Sequence, residues 1–241
     1  MFTRITILLA ALIAMPAFAQ EEPEAEEESG PWSGKVSFGF LSTSGNTENS
    51  NFNGNFEIGY AIGKWSHLFD AYAINASENN ATTAEAYGAG WKSEWNLSEH
   101  NFLFGQLSYR KDRFSGFPTQ FAQTAGYGRR IIDTTAHMLN AEVGAGARQS
   151  ERSDGVDEND VILSGGLNYK WTFSETANFT QDLTIEYGEN NTYMESVSAV
   201  STNIVGALAL AVSYTIRNNS DVLPDTVSTD RFTALSLEYA F

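Results

Sequence analysis

From Asn51 to Ile62 the chain alternates: Phe52, Phe56, Ile58, Tyr60 and Ile62 fall on even positions, and Asn51, Asn53, Asn55 and Glu57 on odd ones. Successive side chains of a strand point to opposite faces, so this is a strand with one oily face and one wet face. The period returns in Leu139 to Ala147, where Leu139, Ala141, Val143, Ala145 and Ala147 oppose Asn140, Glu142, Gly144 and Gly146. It returns again in Val161 to Trp171, Phe179 to Tyr187 and Leu235 to Phe241. No stretch carries a convincing helical period of 3.6. The longest apolar run after residue 19, Asn203 to Tyr214, is too short to span a bilayer as a helix.

Alternation also marks a soluble antiparallel sandwich, whose outer face meets water. Two features favour a membrane barrel. The wet face mixes Gly, Asn and Ser with charges of both signs, and the aromatic residues sit near strand ends, as interface girdles do. A spanning sheet has to close on itself, because lipid offers no partner to an unpaired backbone group. The expectation is therefore an all-β transmembrane antiparallel barrel of about twelve strands, of the bacterial outer-membrane type, in a Gram-negative envelope.

The strands are expected near 32–42, 50–62, 65–76, 84–95, 101–111, 120–132, 137–149, 159–171, 178–188, 196–205, 208–218 and 230–241. Short connections, such as Gly63-Lys64 and Asp133 to Ala136, alternate with longer polar ones at Ser42 to Asn49, Ser77 to Thr83, Asp112 to Thr119, Ser150 to Glu158, Glu189 to Glu195 and Asn219 to Thr229. Short turns on the periplasmic side and long loops outside are usual in such barrels, which places both termini in the periplasm.

The N-terminus fits this destination. Met1 to Gln20 has Arg4, an apolar core from Ile5 to Ala14 and the small-x-small motif Ala17-Phe18-Ala19, which predicts a signal peptide over 1–19. The glutamate-rich stretch QEEPEAEEESGP follows, a solvated disordered tether over 20–31, with the barrel taking 32–241. Cysteine is absent, which removes disulfides, thiolate metal sites and cysteine nucleophiles. A net charge of -16 removes the basic footprint that nucleic acid requires.

The final LSLEYAF, with Tyr239 and the terminal Phe241 on an amphipathic strand, resembles the signal by which outer-membrane proteins engage the barrel-assembly machinery. Together with GFLSTSGNTENSNFN, YRKDRFSG and SYTIRNNSDVLPDTVSTDRFTALSLEYAF, it resembles the YdiY-like salt-induced outer-membrane proteins over essentially all of 32–241. The resemblance implies an outer-membrane location and an association with salt stress. It implies no chemistry, since that domain is one of unknown function.

Some such barrels are enzymes, which need a nucleophile, a base and a group that orients the base. His67, His100 and His137 all map to strand ends on the periplasmic side, and His67 and Ser66 point to opposite faces, so they read as structural. Asp154, Asp157, Glu158 and Asp160 crowd one outer loop, but their spacing does not match a calcium loop, and they read as a solvated acidic segment. No metal or cofactor is expected.

The inward charges are more informative. Glu57, Asp70, Glu94, Arg110, Glu142, Arg148, Lys170, Asp182, Glu186 and Glu238 map to the wet face, the first nine as pore-lining candidates. Of the consecutive Arg129 and Arg130, one points in and the other snorkels to headgroups. These charges either cross-link a narrow lumen or line a small water-filled pore, and inward Gly144 and Gly146 favour the pore by leaving space. The sequence reads as a porin-like, non-enzymatic, monomeric barrel: a narrow passive pore or an envelope-stabilising protein under salt or osmotic stress. Its partners are outer-membrane lipid, lipopolysaccharide and the assembly machinery. A lipid-acting enzyme and a surface adhesion protein are the alternatives. An epitope tag in Ser150 to Glu158 or Asn219 to Thr229 is expected to be reachable on intact cells, and one in Asp133 to Ala136 is not; the reverse pattern would sink the strand map.

Overall fold

A computed structural model of the chain describes residues 30–43, 49–79, 81–224 and 226–241. The expected signal peptide and nearly all of the tether lie outside these residues. The twelve strands are β1 (Trp32–Thr43), β2 (Asn49–Ile62), β3 (Trp65–Glu78), β4 (Ala81–Asn96), β5 (Asn101–Asp112), β6 (Thr119–Asp133), β7 (His137–Glu151), β8 (Asp157–Thr172), β9 (Ala177–Tyr187), β10 (Thr192–Val205), β11 (Leu208–Asn219) and β12 (Thr229–Ala240). Each pairs antiparallel with its sequence neighbours, and β1 meets β12 to close the barrel.

The alternation sorts the wall. Val143, Val161, Leu163 and Leu235 point outward and are largely exposed, as lipid-facing side chains are in the isolated chain. Aromatic residues ring the end where the turns lie, and all five tryptophans are found there. Trp32 packs on Tyr60, Trp65 stacks on Trp95, and His137 lies between Tyr169 and Trp171. At two of the tight turns Gly63 and Gly206 take positive φ, 59° and 54°, which a two-residue hairpin turn demands.

Two connections differ from the sequence reading. The long loop expected over Ser77 to Thr83 is a tight turn, because β3 runs to Glu78 and β4 starts at Ala81. Ala, Ser and Thr there accept ladder geometry, and Asn79 supplies the left-handed residue at φ 48°. Strand β10 begins at Thr192, ahead of the expected 196, because the asparagines before it looked like the body of a loop.

The closing seam has its own signature. Phe241 donates its backbone N–H to the Gly34 carbonyl at 2.9 Å and accepts from Gly34 N–H at 2.7 Å. Its ring lies where a Gly34 side chain would be and stacks with Tyr239 at 6.3 Å. The terminal aromatic thus covers a bare glycine at the point of closure.

Val143 is 64% exposed on the outer wall, opposite Tyr127 and Gly165. Val143→Arg is expected to destabilise the folded barrel by roughly 2–4 kcal/mol, the cost of a basic side chain near the bilayer midplane. Urea titration in liposomes, followed by heat-modifiable gel mobility, measures it; an unchanged midpoint would contradict the lipid-facing assignment.

Candidate functional site

The inner wall carries the chemistry, and its loop-side half is packed with charge. Arg110 on β5 donates to Glu186 on β9 at 2.7 Å, and strands that far apart can meet only across the lumen. Arg148 on β7 is fully buried; it donates to Asp160 at 2.9 Å, to Glu186 at 3.5 Å and to the Asn191 carbonyl. Asp160 also accepts from the Asn190 backbone and side chain, so both of its oxygens are engaged. Beside this group Arg217 pairs with Glu195, lies 4.6 Å from the Tyr72 ring centre on β3, and so ties β11 to β3. Tyr193 donates to Glu195 at 3.0 Å and carries Arg110 on its ring face.

Above the network the β5–β6 loop folds into the mouth, with Phe117 only 3% exposed. A small cavity of ≈ 20 Å³ remains beneath it, lined by Tyr72, Arg110, Tyr193 and Arg217 among others. That volume suits about one water molecule.

A second cluster fills the turn-side half along β4 to β7. Lys92 pairs with Glu142 and, at 3.2 Å, with Glu94; Arg130 reaches Glu94 at 3.5 Å. The two cations lie against Phe102 and Phe104, whose rings point inward and are buried. Here the sequence reading of the glycines is corrected. Gly144 and Gly146 do not hold the lumen open: a side chain at Gly144 would meet the Ala125 carbonyl at 2.7 Å and Phe104 at 3.1 Å, and one at Gly146 would strike the β6 backbone. Gly128 similarly makes room for the Phe102 ring. Gly128 and Gly144 form a floor on which inward phenylalanines lie, and Gly146 lies tight against the β6 backbone, so none of them leaves open space.

The opposite wall is emptier. Lys35 and Glu57, 3.3 Å apart, keep 40% and 41% of their side-chain surface exposed. Inward Asn51, Asn55, Asp182 and Lys170 are exposed as well. Asp182 accepts from Asn168 at 2.9 Å and lies in the field of Glu57, Lys35 and Glu195. Asp70 is half-buried opposite Glu57.

The nine candidates therefore share the inner face but not one environment. Arg110, Arg148 and Glu186 belong to the buried loop-side network, Glu94 and Glu142 to the turn-side cluster, and Glu57, Asp70, Asp182 and Lys170 to the emptier side. Arg130 is the inward member of the Arg129–Arg130 pair, while Lys35, Tyr72, Lys92, Tyr193, Glu195 and Arg217 complete these groups without having been selected from sequence. Parity would have found Lys92 and Arg217; Glu195 was hidden because the expected strand began at 196, one residue past it, whereas β10 begins at Thr192.

The histidines lie elsewhere. His67 stacks with Trp65 and Trp91 on the outer face, and His137 Nδ1 meets the Tyr169 hydroxyl at 2.8 Å. In the β7–β8 loop Arg152 engages Asp154 at 2.8 Å and Glu158 at 3.0 Å, and its side-chain bond holds the Asp154 carboxyl below the usual carboxylate range. Among the described residues no group of three His, Cys, Asp or Glu could hold a metal ion.

The family described as "Protein of unknown function, DUF481" matches residues 36–241. The uncharacterized protein YdiY of Escherichia coli strain K12 is 32% identical over 212 residues, covering 87% of this chain and 83% of that protein. Among solved structures, the COG4313 outer membrane channel from Pseudomonas putida F1 superposes with a TM-score of 0.51 at 10% identity, covering 91% of this chain and 99% of that one. At that identity the likeness concerns the fold: an all-β closed barrel of the outer-membrane type.

Breaking a buried charge pair from one side costs about 3–5 kcal/mol, since the remaining charge is left uncompensated. Arg148→Met strands Asp160 in this way and is expected to lower the urea midpoint by a corresponding amount. Adding Asp160→Asn is expected to recover part of the loss. A variant as stable as the parent would mean that the network contributes nothing to the fold.

Proposed function

The chain belongs to the DUF481 family, and from the inner wall just described we propose that it is a narrow passive conduit of the bacterial outer membrane. The observation that carries this reading is the unequal filling of the lumen. Arg148 is fully buried on one side, while Lys35 and Glu57 keep about two-fifths of their surface open on the other. The remaining path is eccentric, running along β1 and β2 past the Asn51 and Asn55 side chains to Lys35, Glu57 and Asp182. Asp70 and Glu238 add negative charge and form no ion pair among the described residues, so the path prefers cations.

The rest of the proposal follows from the same barrel. Both termini lie in the periplasm, with the short turns. Tyr239 and Phe241 act as the assembly signal, a role that fits their position at the closing seam. Outer-membrane lipid and lipopolysaccharide surround a monomer, and service under salt or osmotic stress is what the family resemblance suggests. The reading is non-enzymatic: His67 and His137 are committed to ring stacking on the outer face, away from the lumen.

Planar-bilayer recording tests the conduit. Small steps with cation preference are expected, and Glu57→Gln with Asp182→Asn is expected to reduce the preference while leaving heat-modifiable mobility unchanged. A folded barrel that shows no steps at all would end the conduit reading and favour an envelope-stabilising scaffold, which the buried charge network would then serve.

A further inference from the structure

The wall is not zipped evenly. Strand β1 pairs with β2 over its whole length, Trp32 to Thr43, and β12 pairs with β11 from Thr229 to Tyr239. With each other, β1 and β12 pair only from Lys35 opposite Ala240 to Phe38 opposite Leu237, extended by the Gly34 and Phe241 bonds. Beyond that point Gly39 to Thr43 and Thr229 to Ser236 have no ladder pairing with one another among the described residues.

The fork is held from inside. Asn53 on β2 reaches across β1 at Gly39, where no side chain blocks it, and donates to the Ser236 hydroxyl on β12 at 3.2 Å. Above this latch the two strands form no ladder pairs among the described residues, although the Leu235 carbonyl still lies against Gly39.

The fork lies at the height of the apolar band. Leu235 pairs with Val212, and Val212 with Val200, and these outward side chains are 59%, 50% and 46% exposed. An unpaired strand edge facing hydrocarbon is strongly disfavoured unless its N–H and C=O groups reach water. Water is at hand on the inner side, where Asn51 and Asn55 are exposed on the strand next to β1. The unladdered edge thus carries apolar side chains outside, Phe40 and Leu235, and polar ones inside.

We propose that the unzipped half of the β1–β12 seam is a lateral portal, through which a single-chain amphiphile passes between the lumen and the outer half of the bilayer. The polar head follows the hydrated asparagine wall while the acyl chain slides between Phe40 and Leu235. The proposal rests on the conduit reading for its water-filled lumen and adds a substrate class to it.

The chain has no cysteine, so the seam can be zipped with a single engineered bridge. Continuing the register places Phe40 opposite Leu235, the pair for Phe40→Cys with Leu235→Cys. The probe is a diazirine-bearing fatty acid in phosphatidylcholine vesicles that contain the full chain, with labelled peptides mapped by mass spectrometry. Label is expected to be enriched several-fold on 39–43 and 229–236 over the fully paired β6–β7 wall. The excess should vanish in the oxidised pair and return on reduction, while ion steps persist.

Amide hydrogen exchange gives a measure that needs no bridge: seam-facing amides above Gly39 and Ser236 should exchange at loop rates, and those below should be protected. Even labelling around the wall, or slow exchange above the fork, overturns the portal. If ion steps are normal in that case, the conduit stands without it. Missing label accompanied by a cross-linked dimer would instead assign the seam to a second copy of the chain and also overturn the proposal.

Discussion

A sheet that faces hydrocarbon has nowhere to send an unpaired backbone group, and the architecture follows from that constraint. A barrel meets it by bonding its last strand to its first, so the seam is the contact on which every other ladder depends. Here the seam is also the shortest ladder, and the chain strengthens it at the turn end with the Gly34 and Phe241 bonds and the phenyl ring laid over the glycine. Closure is therefore concentrated where the start of β1 meets the end of β12 and is weak towards the loops.

Closure sends one set of side chains inward, and the interior has to accommodate them. Charged groups taken from water lose several kcal/mol of solvation each, which only close opposite charges and further hydrogen bonds offset. The loop-side network does this with Arg148 between Asp160 and Glu186, and the turn-side cluster does it with Lys92 between Glu94 and Glu142. Glycines opposite Phe102 and Phe104 let rings lie flat against the wall, so apolar contact and cation-to-ring contact help fill the lumen. Dispersed charges pack one side and leave the other to water.

The fold was largely legible because period-two alternation is a direct consequence of strand geometry in a two-solvent environment. Segments such as Leu139 to Ala147 carry it without interruption, and all twelve strands were placed. What alternation could not show was depth within the lumen. Arg148 and Asp182 share one parity, yet the first is sealed and the second exposed, because burial depends on which distant strands face each other across the barrel. The glycines misled for a related reason: Gly144 looks like empty space until Phe104 from another strand is seen to occupy it. The partial seam was equally hidden, since pairing between the first and last strands leaves no local pattern in either.

The distribution of internal ties explains why the wall can be incomplete at that place. Arg110 to Glu186, Lys92 to Glu142 and Arg217 over Tyr72 brace the cylinder between strands that are not neighbours. Strand β1 takes no part in these braces; among the described residues its inward Lys35 and Ser37 bond to Glu57 and Asn55 on adjacent β2. The tie over the fork, Asn53 to Ser236, is a single neutral hydrogen bond, which contributes about 0.5–1.5 kcal/mol, against the 3–5 kcal/mol at stake in a buried ion pair. The cylinder keeps its shape through β3 to β11, so loss of pairing between β1 and β12 above Gly39 leaves the rest of the barrel intact. Any lateral opening of this wall should therefore begin at that fork and not at one of the braced strand pairs.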